Sequence, residues 1–172
     1  MNMKSAVSQS ADTSMFAHEV SKIILLGLRD LAWAAGFVDG EGCISTVMQT
    51  YQPDEDGKQR PPTMRFKLTV SQNCASTLKH LQKILGEKSY LNEVTFTQDM
   101  NRRAWVLHYD GKHALKAIKK LEPFLHRKKQ FVHVAEKLFE EGKLGQRPGR
   151  KGWDAETLRA RNKWATRLRR LQ

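Results

Sequence analysis

Residues 31–44, LAWAAGFVDGEGCI, constrain the fold more than any other stretch of the chain. Ala32, Ala35, Gly36 and Gly40 recur at three- and four-residue spacing, so a helix here carries a face of very small residues that another backbone can approach closely. A tight helix pair is the packing this pattern implies. The helix is expected from Leu31, with Asp30 as its N-cap, to about Val38, and to stop in Asp39-Gly40-Glu41-Gly42. Asp39 and Glu41 then stand at the negative end of the helix dipole, where a carboxylate is disfavoured by a few tenths to about 1 kcal/mol. A divalent cation would offset that cost, because carboxylate and freed carbonyl oxygens are hard ligands suited to Mg²⁺. Taken alone, those four residues read as well as a solvated acidic turn.

The rest of the chain supplies a recognisable order of elements. Residues 1–13 are small and polar and read as a loose tail. A helix over 14–29 would place Phe16, Val20, Ile23, Ile24 and Leu28 roughly on one face. Residues 43–51 favour a strand, and 52–62 (QPDEDGKQRPP) is turn chemistry. Residues 63–72 alternate strictly, with Met64, Phe66, Leu68 and Val70 on one side and Arg65, Lys67, Thr69 and Ser71 on the other, which is a half-buried strand. An amphipathic helix over 75–85 closes on Gly86. Residues 89–98 and 102–109, rich in Val, Thr, Phe, Tyr and Trp, form a hairpin about Asp99-Met100-Asn101. A helix follows over 112–122, and another from near 124–125 carries Phe131, Val134, Ala135 and Leu138 inward. After a loop at 142–152, Asp154 caps a last helix with Trp164, Leu168 and Leu171 on one side and Arg159, Lys163, Arg167 and Arg170 elsewhere. The class is α+β: an αββαββα unit with an antiparallel sheet and additional C-terminal helices. The sheet keeps one apolar face for its helices and one polar face, and a twisted antiparallel ribbon of that kind fits a DNA major groove.

Charge points to the same kind of partner. Residues 1–110 hold 12 basic and 12 acidic side chains, whereas 111–172 hold 18 and 6, so the net +12 lies entirely in the last third. Such a polarised field attracts a polyanion. Nucleic acid is favoured over a membrane, which would ask for an amphipathic helix with a broad apolar face; a basic surface that binds nothing in particular is the bland alternative. Cys43 and Cys74 form neither a CxxC nor a zinc-type spacing, so an intracellular, reducing compartment that contains DNA is expected, whether cytoplasm, nucleoid or organelle. The expected division is an N-terminal extension (1–29), a core (30–142) and a basic C-terminal extension (143–172).

The nine residues AAGFVDGEG, 34–42, resemble the signature of the LAGLIDADG homing endonucleases without a gap. Ala34 stands where Leu is commoner and Glu41 where the last acid is usually Asp; family members tolerate both. The element order over roughly 30–140 is also similar to the family's αββαββα fold with its β-saddle. The resemblance implies that Glu41 binds a divalent metal beside a scissile phosphate, Mg²⁺ with Mn²⁺ able to substitute, and that Gly40 offers its main-chain carbonyl to the same metal. Asp39 takes the structural place near the helix end. Gln72, after the second strand, orders water, and Lys128 in LEPFLHRKKQ belongs to the same site, with Arg127 and Lys129 as neighbours in register. Where relatives often carry a basic residue soon after that Gln, this chain reads Asn73-Cys74-Ala75-Ser76, and Lys79 is the nearest cation.

Cleaving both strands of a duplex needs two such acids, and the chain has one motif. A homodimer is therefore expected, built on the small-residue helix, acting on double-stranded DNA at a roughly palindromic site. Base reading is expected from Arg65, Lys67 and Thr69, from Ser45, Gln49 and Tyr51 on one parity of the first strand, and from Asn92, Arg102 and Arg103 in the second hairpin. Arg147, Arg150, Lys151 and the last helix are expected to hold phosphates. Two other activities use the same scaffold: an intron RNA maturase and a cleavage-inactive DNA-binding protein. Gly40-Glu41-Gly42 with Gln72 and Lys128 favours the endonuclease over the inactive binder.

Overall fold

The computed structural model describes residues 4–57, 59, 62–94, 103–147 and 152–172, and of residues 4–19 the backbone alone. The first helix, α1 (Lys4–Glu41), is one continuous element. This corrects three expectations. Residues 4–13 are helical rather than a loose tail, Asp30 lies inside the helix rather than capping a second one, and the helix runs through Gly40 to Glu41 instead of stopping at Val38. No Gly or Pro interrupts residues 4–26, and a single Asp or Gly inside a helix costs only about 0.5–1 kcal/mol, which a long packed helix absorbs.

The chain then forms β1 (Gly42–Gln49), β2 (Thr63–Gln72), α2 (Ala75–Leu85), β3 (Tyr90–Val94), β4 (Ala104–Asp110) and α3 (Gly111–Leu121). A 3₁₀ turn (Glu122–Phe124) leads to α4 (Lys129–Glu140) and α5 (Ala155–Arg170). The αββαββα order with extra C-terminal helices is the expected one. Helix α2 ends on Gly86, whose φ of 66° is the left-handed conformation that glycine adopts without a Cβ penalty, and its N–H closes on the Gln82 carbonyl. Arg102 and Asp99-Met100-Asn101 lie outside the described residues, as do Arg150 and Lys151.

The sheet has four antiparallel strands in the order β1-β2-β4-β3. Register fixes its two faces. Ile44 pairs with Leu68, Thr46 with Phe66, Leu68 with Tyr109 and Val70 with Leu107, and these point toward the helices. Ser45 pairs with Lys67, Val47 with Arg65, Thr69 with His108 and Asn92 with Val106, and these face away. The core under the inner face joins Ala34, Ala35 and Val38 of α1 to Phe66, Leu78, Leu81, Leu107, Ile118, Leu121, Val132 and Leu138. Helix α5 adds Leu168 to that core and runs beside β1, one of the two edge strands of the described sheet. Arg161, which no sequence spacing singles out, docks α5 onto the end of α4. Its Nε donates to the Gly142 carbonyl at 2.6 Å, its Nη2 to the Lys143 carbonyl at 3.2 Å, and its guanidinium lies 3.9 Å from the Trp153 ring centroid. Among the described residues no helix is long and apolar enough to cross a membrane.

Candidate active site

The end of α1 is held by main-chain groups from far along the sequence. Asp39 is buried, and its two carboxylate oxygens accept three backbone N–H bonds: His126 at 2.7 Å and Arg127 at 3.2 Å on Oδ2, and Lys128 at 2.9 Å on Oδ1. The Lys128 ammonium donates to the Asp39 main-chain carbonyl. This arrangement bears on a further departure from expectation. Residues 125–128 are not the first turn of a helix: Leu125 is extended (φ −70°, ψ 136°), the N–H groups of 126–128 turn to a side chain of α1, and α4 starts only at Lys129 with Lys128 as its N-cap residue. Burial pushes the Asp39 carboxyl upward, but the three N–H donors and the Lys128 charge outweigh it and hold the pKa below its usual value. Burial likewise pushes the Lys128 ammonium below its usual value, against the opposing pull of the Asp39 and Glu41 charges.

Glu41, two residues on, is in a different state. Its side chain is exposed and makes no hydrogen bond or ion pair among the described residues. Gly42 follows it because nothing larger fits: a Cβ there would lie 2.6 Å from the Val38 carbonyl oxygen. The chain thus turns from helix to strand without a linker, and Gly42 pairs with Val70, which sets the end of α1 beside the end of β2, where Gln72 stands. Gln72 is half-buried and its Oε1 accepts the Asn73 N–H at 2.8 Å. It shares the parity of Val70, so it closes the inner face of the strand at its end. The motif end, Lys128 and the end of β2 therefore converge. A free carboxylate with a helix-terminal carbonyl from Gly40 is a hard-oxygen donor set that fits Mg²⁺, which is usually held by one or two carboxylates and completed by substrate phosphates and waters. Among the described residues no cluster of three or more His, Cys, Asp or Glu forms within the chain.

The outward face of the sheet carries most of the expected readers. Ser45, Gln49, Arg65, Lys67, Thr69 and Asn92 all lie on it. Lys67 is partly neutralised by Asp110, 3.8 Å away, a residue on the same parity of β4 that the strand's alternation could have revealed. Tyr90 stacks on His108 with ring centroids 4.7 Å apart and donates to Asp110 at 3.0 Å. Tyr51 corrects its strand assignment: β1 ends at Gln49, and the Tyr51 hydroxyl shares a 2.7 Å hydrogen bond with Thr63 beyond the strand. Arg103 is exposed and lies 3.6 Å from Glu93; Arg147 is exposed in the loop before α5. On α1, Ala32, Gly36 and Gly40 are exposed, whereas Ala35 is fully buried in the chain's own core and leaves the outward stripe. Among the described residues a Cβ built on Gly36 or Gly40 meets nothing within 4 Å, so the packing there does not require glycine at either position.

A family model described as LAGLIDADG endonuclease matches residues 34–134. Among solved structures, the homing endonuclease I-CvuI in complex with its target, in the presence of 2 mM Ca, is 22% identical over 86% of this chain and 85% of that one, with a TM-score of 0.57. The archaeal intron-encoded homing endonuclease I-Vdi141I complexed with DNA is 17% identical over 83% of each chain, with a TM-score of 0.55. At such identities the likeness is one of fold. No curated protein matches the sequence.

Proposed function

The chain belongs to the LAGLIDADG endonuclease family, and on that premise we propose that it is a sequence-specific homing endonuclease that cuts both strands of duplex DNA as a homodimer. The observation that carries the reading is the contrast between two acids two residues apart: Asp39 is consumed by three backbone donors, while Glu41 is exposed at the helix end and makes no hydrogen bond or ion pair among the described residues. An exposed carboxylate that no hydrogen bond holds among the described residues is available, in a chain this basic, to a cation brought by, or shared with, a phosphate.

In this reading Glu41 and the Gly40 carbonyl hold a divalent cation, Mg²⁺ with Mn²⁺ as a substitute, beside the scissile phosphate. Bound there, the cation would lower the pKa of the attacking water and stabilise charge on the leaving 3′ oxygen. Lys128 presents its ammonium next to the same helix end, where it adds positive charge beside the phosphate, and the Gln72 amide orients water. Exposed side chains on the outer face of β1, β2 and β3 meet base edges, and the C-terminal cations meet the backbone. The homodimer rests on Ala32, Gly36 and Gly40: glycines that the packing among the described residues does not demand are explained when a second copy of the helix lies against them.

The experiment is a cleavage selection on a randomised duplex library with Mg²⁺ present or chelated. The expected result is enrichment of a long, roughly two-fold-symmetric sequence, cut only when Mg²⁺ is present. Absence of any enriched, cut sequence would contradict the endonuclease reading. Sedimentation as a monomer both with and without that duplex would contradict the homodimer.

A further inference from the structure

Glu41 sits between two anchors. On the helix side Asp39 is tied to residues 126–128. On the strand side the tie comes from the far end of the chain: the Gln172 side-chain amide donates from Nε2 to the Ile44 carbonyl at 3.0 Å. That carbonyl is on the open side of β1, an edge strand of the described sheet, and belongs to the third residue after Glu41. Edge-strand carbonyls normally look to solvent, and this one is taken by a side chain. Leu171 and Gln172 also wall a pocket of about 310 Å³ whose other sides include Gly42, Cys43, Lys128 and Phe131. The end of α5 thus reaches the Lys128 site directly, although 44 positions separate Lys128 from Gln172.

We infer that Gln172 is a positioning residue for cleavage: by holding the Ile44 carbonyl it fixes the start of β1, and with it the carboxylate of Glu41. Helix α5 presents exposed Arg159, Lys163, Arg167 and Arg170 along its length, and the two residues after it, Leu171 and Gln172, line the pocket beside Lys128. The same helix that meets phosphate backbone therefore completes the frame around the acid, so gripping the duplex and aligning the cleavage site are mechanically one element. A helix that served as a clamp alone would have no need to reach Ile44. The inference rests on the reading of Glu41 as the cleavage acid.

Gln172 is exposed and its amide bonds to main chain, not to a core side chain, so its substitution tests the hydrogen bond rather than the fold. The test compares wild type, Gln172→Met, Gln172→Lys and Arg159→Ala by single-turnover cleavage at saturating protein, by affinity for the uncut duplex in Ca²⁺, and by melting temperature. Met keeps the length and removes the donor without adding charge; Lys restores a donor. The expected result for Gln172→Met is a cleavage rate lower by on the order of tenfold with affinity changed by no more than about twofold, and Gln172→Lys recovers most of the rate. Arg159→Ala is expected to weaken binding and sets the loss of affinity that a lost backbone contact alone produces. A wild-type rate in Gln172→Met, a rate in Gln172→Lys as low as in Gln172→Met, or a fall in rate matched by the fall in affinity overturns the inference. Wild-type protein that cuts no duplex overturns the endonuclease reading instead, and the two failures are thereby distinct.

Discussion

The end of α1 and the outer face of the sheet are both polar, yet they are built in opposite ways. At the helix end the acid Asp39 is answered by main-chain N–H groups of residues 126–128, donors that ordinary side-chain substitution at those positions leaves in place. On the sheet face the backbone ladder supplies the order, and Ser45, Gln49, Arg65 and Asn92 hang from it with little to hold them. The contrast shows where such a fold can change. Altering the helix end breaks a buried charge network, whereas exchanging residues on the sheet face leaves the scaffold intact and, in the proposed reading, changes which bases are read.

The largest effect on this contrast is expected from Asp39→Asn. An amide cannot accept all three N–H groups without turning its own donor toward one of them, so thermal or denaturant unfolding should show a loss of about 3 kcal/mol. The pH dependence has a defined sign. Because the Asp39 pKa is lowered in the fold, its contribution is complete above the usual carboxylate range and drains away as pH falls through that range and below it. The acid limb of the stability profile should therefore flatten in the Asn variant. If Asp39→Asn is as stable as wild type at neutral pH, the helix end is no more constrained than the sheet.

Two neighbours within α1 itself divide the helix between the chain's core and the proposed second copy. Ala35→Leu inserts bulk into the core and should destabilise the fold by about 1–3 kcal/mol. Gly36→Leu enters open space in the single chain, so it should leave monomer stability nearly unchanged and shift the dimer toward monomer in sedimentation. Equal destabilisation of the monomer by both would place the two residues on one face.

On the sheet, Arg65→Ala should cost on the order of 1–3 kcal/mol of binding at one symmetric pair of base positions and relax specificity there, with no change in melting temperature. A uniform loss over all sequences would make Arg65 a backbone contact. The smallest expected effect belongs to Arg159→Ala on α5. It should reduce the slope of log affinity against log salt by about 0.9 for each phosphate that Arg159 neutralises and leave base preference alone. An unchanged slope would mean that this side chain faces solvent in the complex.

Legibility in the sequence follows the same division. Strand 63–72 and helix 75–85 are legible to the residue, because strict alternation and a Leu-Leu-Ile-Leu face closing on Gly86 are local signals that packing merely ratifies. The break expected at Asp30 does not occur, since an N-cap residue is only a preference and the packed apolar positions from Leu31 to Val38 carry the helix through it. Helix α4 starts later than its apolar pattern suggests: Leu125 is extended, and residues 126–128 form a turn whose N–H groups meet Asp39, a partner 87 to 89 residues away. Ala35 and Gly36 differ by one position and about 100° around the helix, and the small-residue pattern cannot tell which of them the chain buries itself. The family resemblance brings Glu41, Gln72 and Lys128 forward as a set; it holds no trace of Gln172, whose bond to Ile44 spans 128 residues and depends on how α5 docks.

The role of Glu41 is tested most directly by comparing Glu41→Gln with wild type on the selected duplex, scoring cleavage in Mg²⁺ and binding in Ca²⁺. Gln keeps the shape of the side chain and removes its charge, and Glu41 makes no bond within the described residues that the fold would lose. The expected result is wild-type melting, binding close to wild type, and no detectable cutting. Cleavage by Glu41→Gln at the wild-type rate would contradict the assignment of Glu41 as the metal-binding acid.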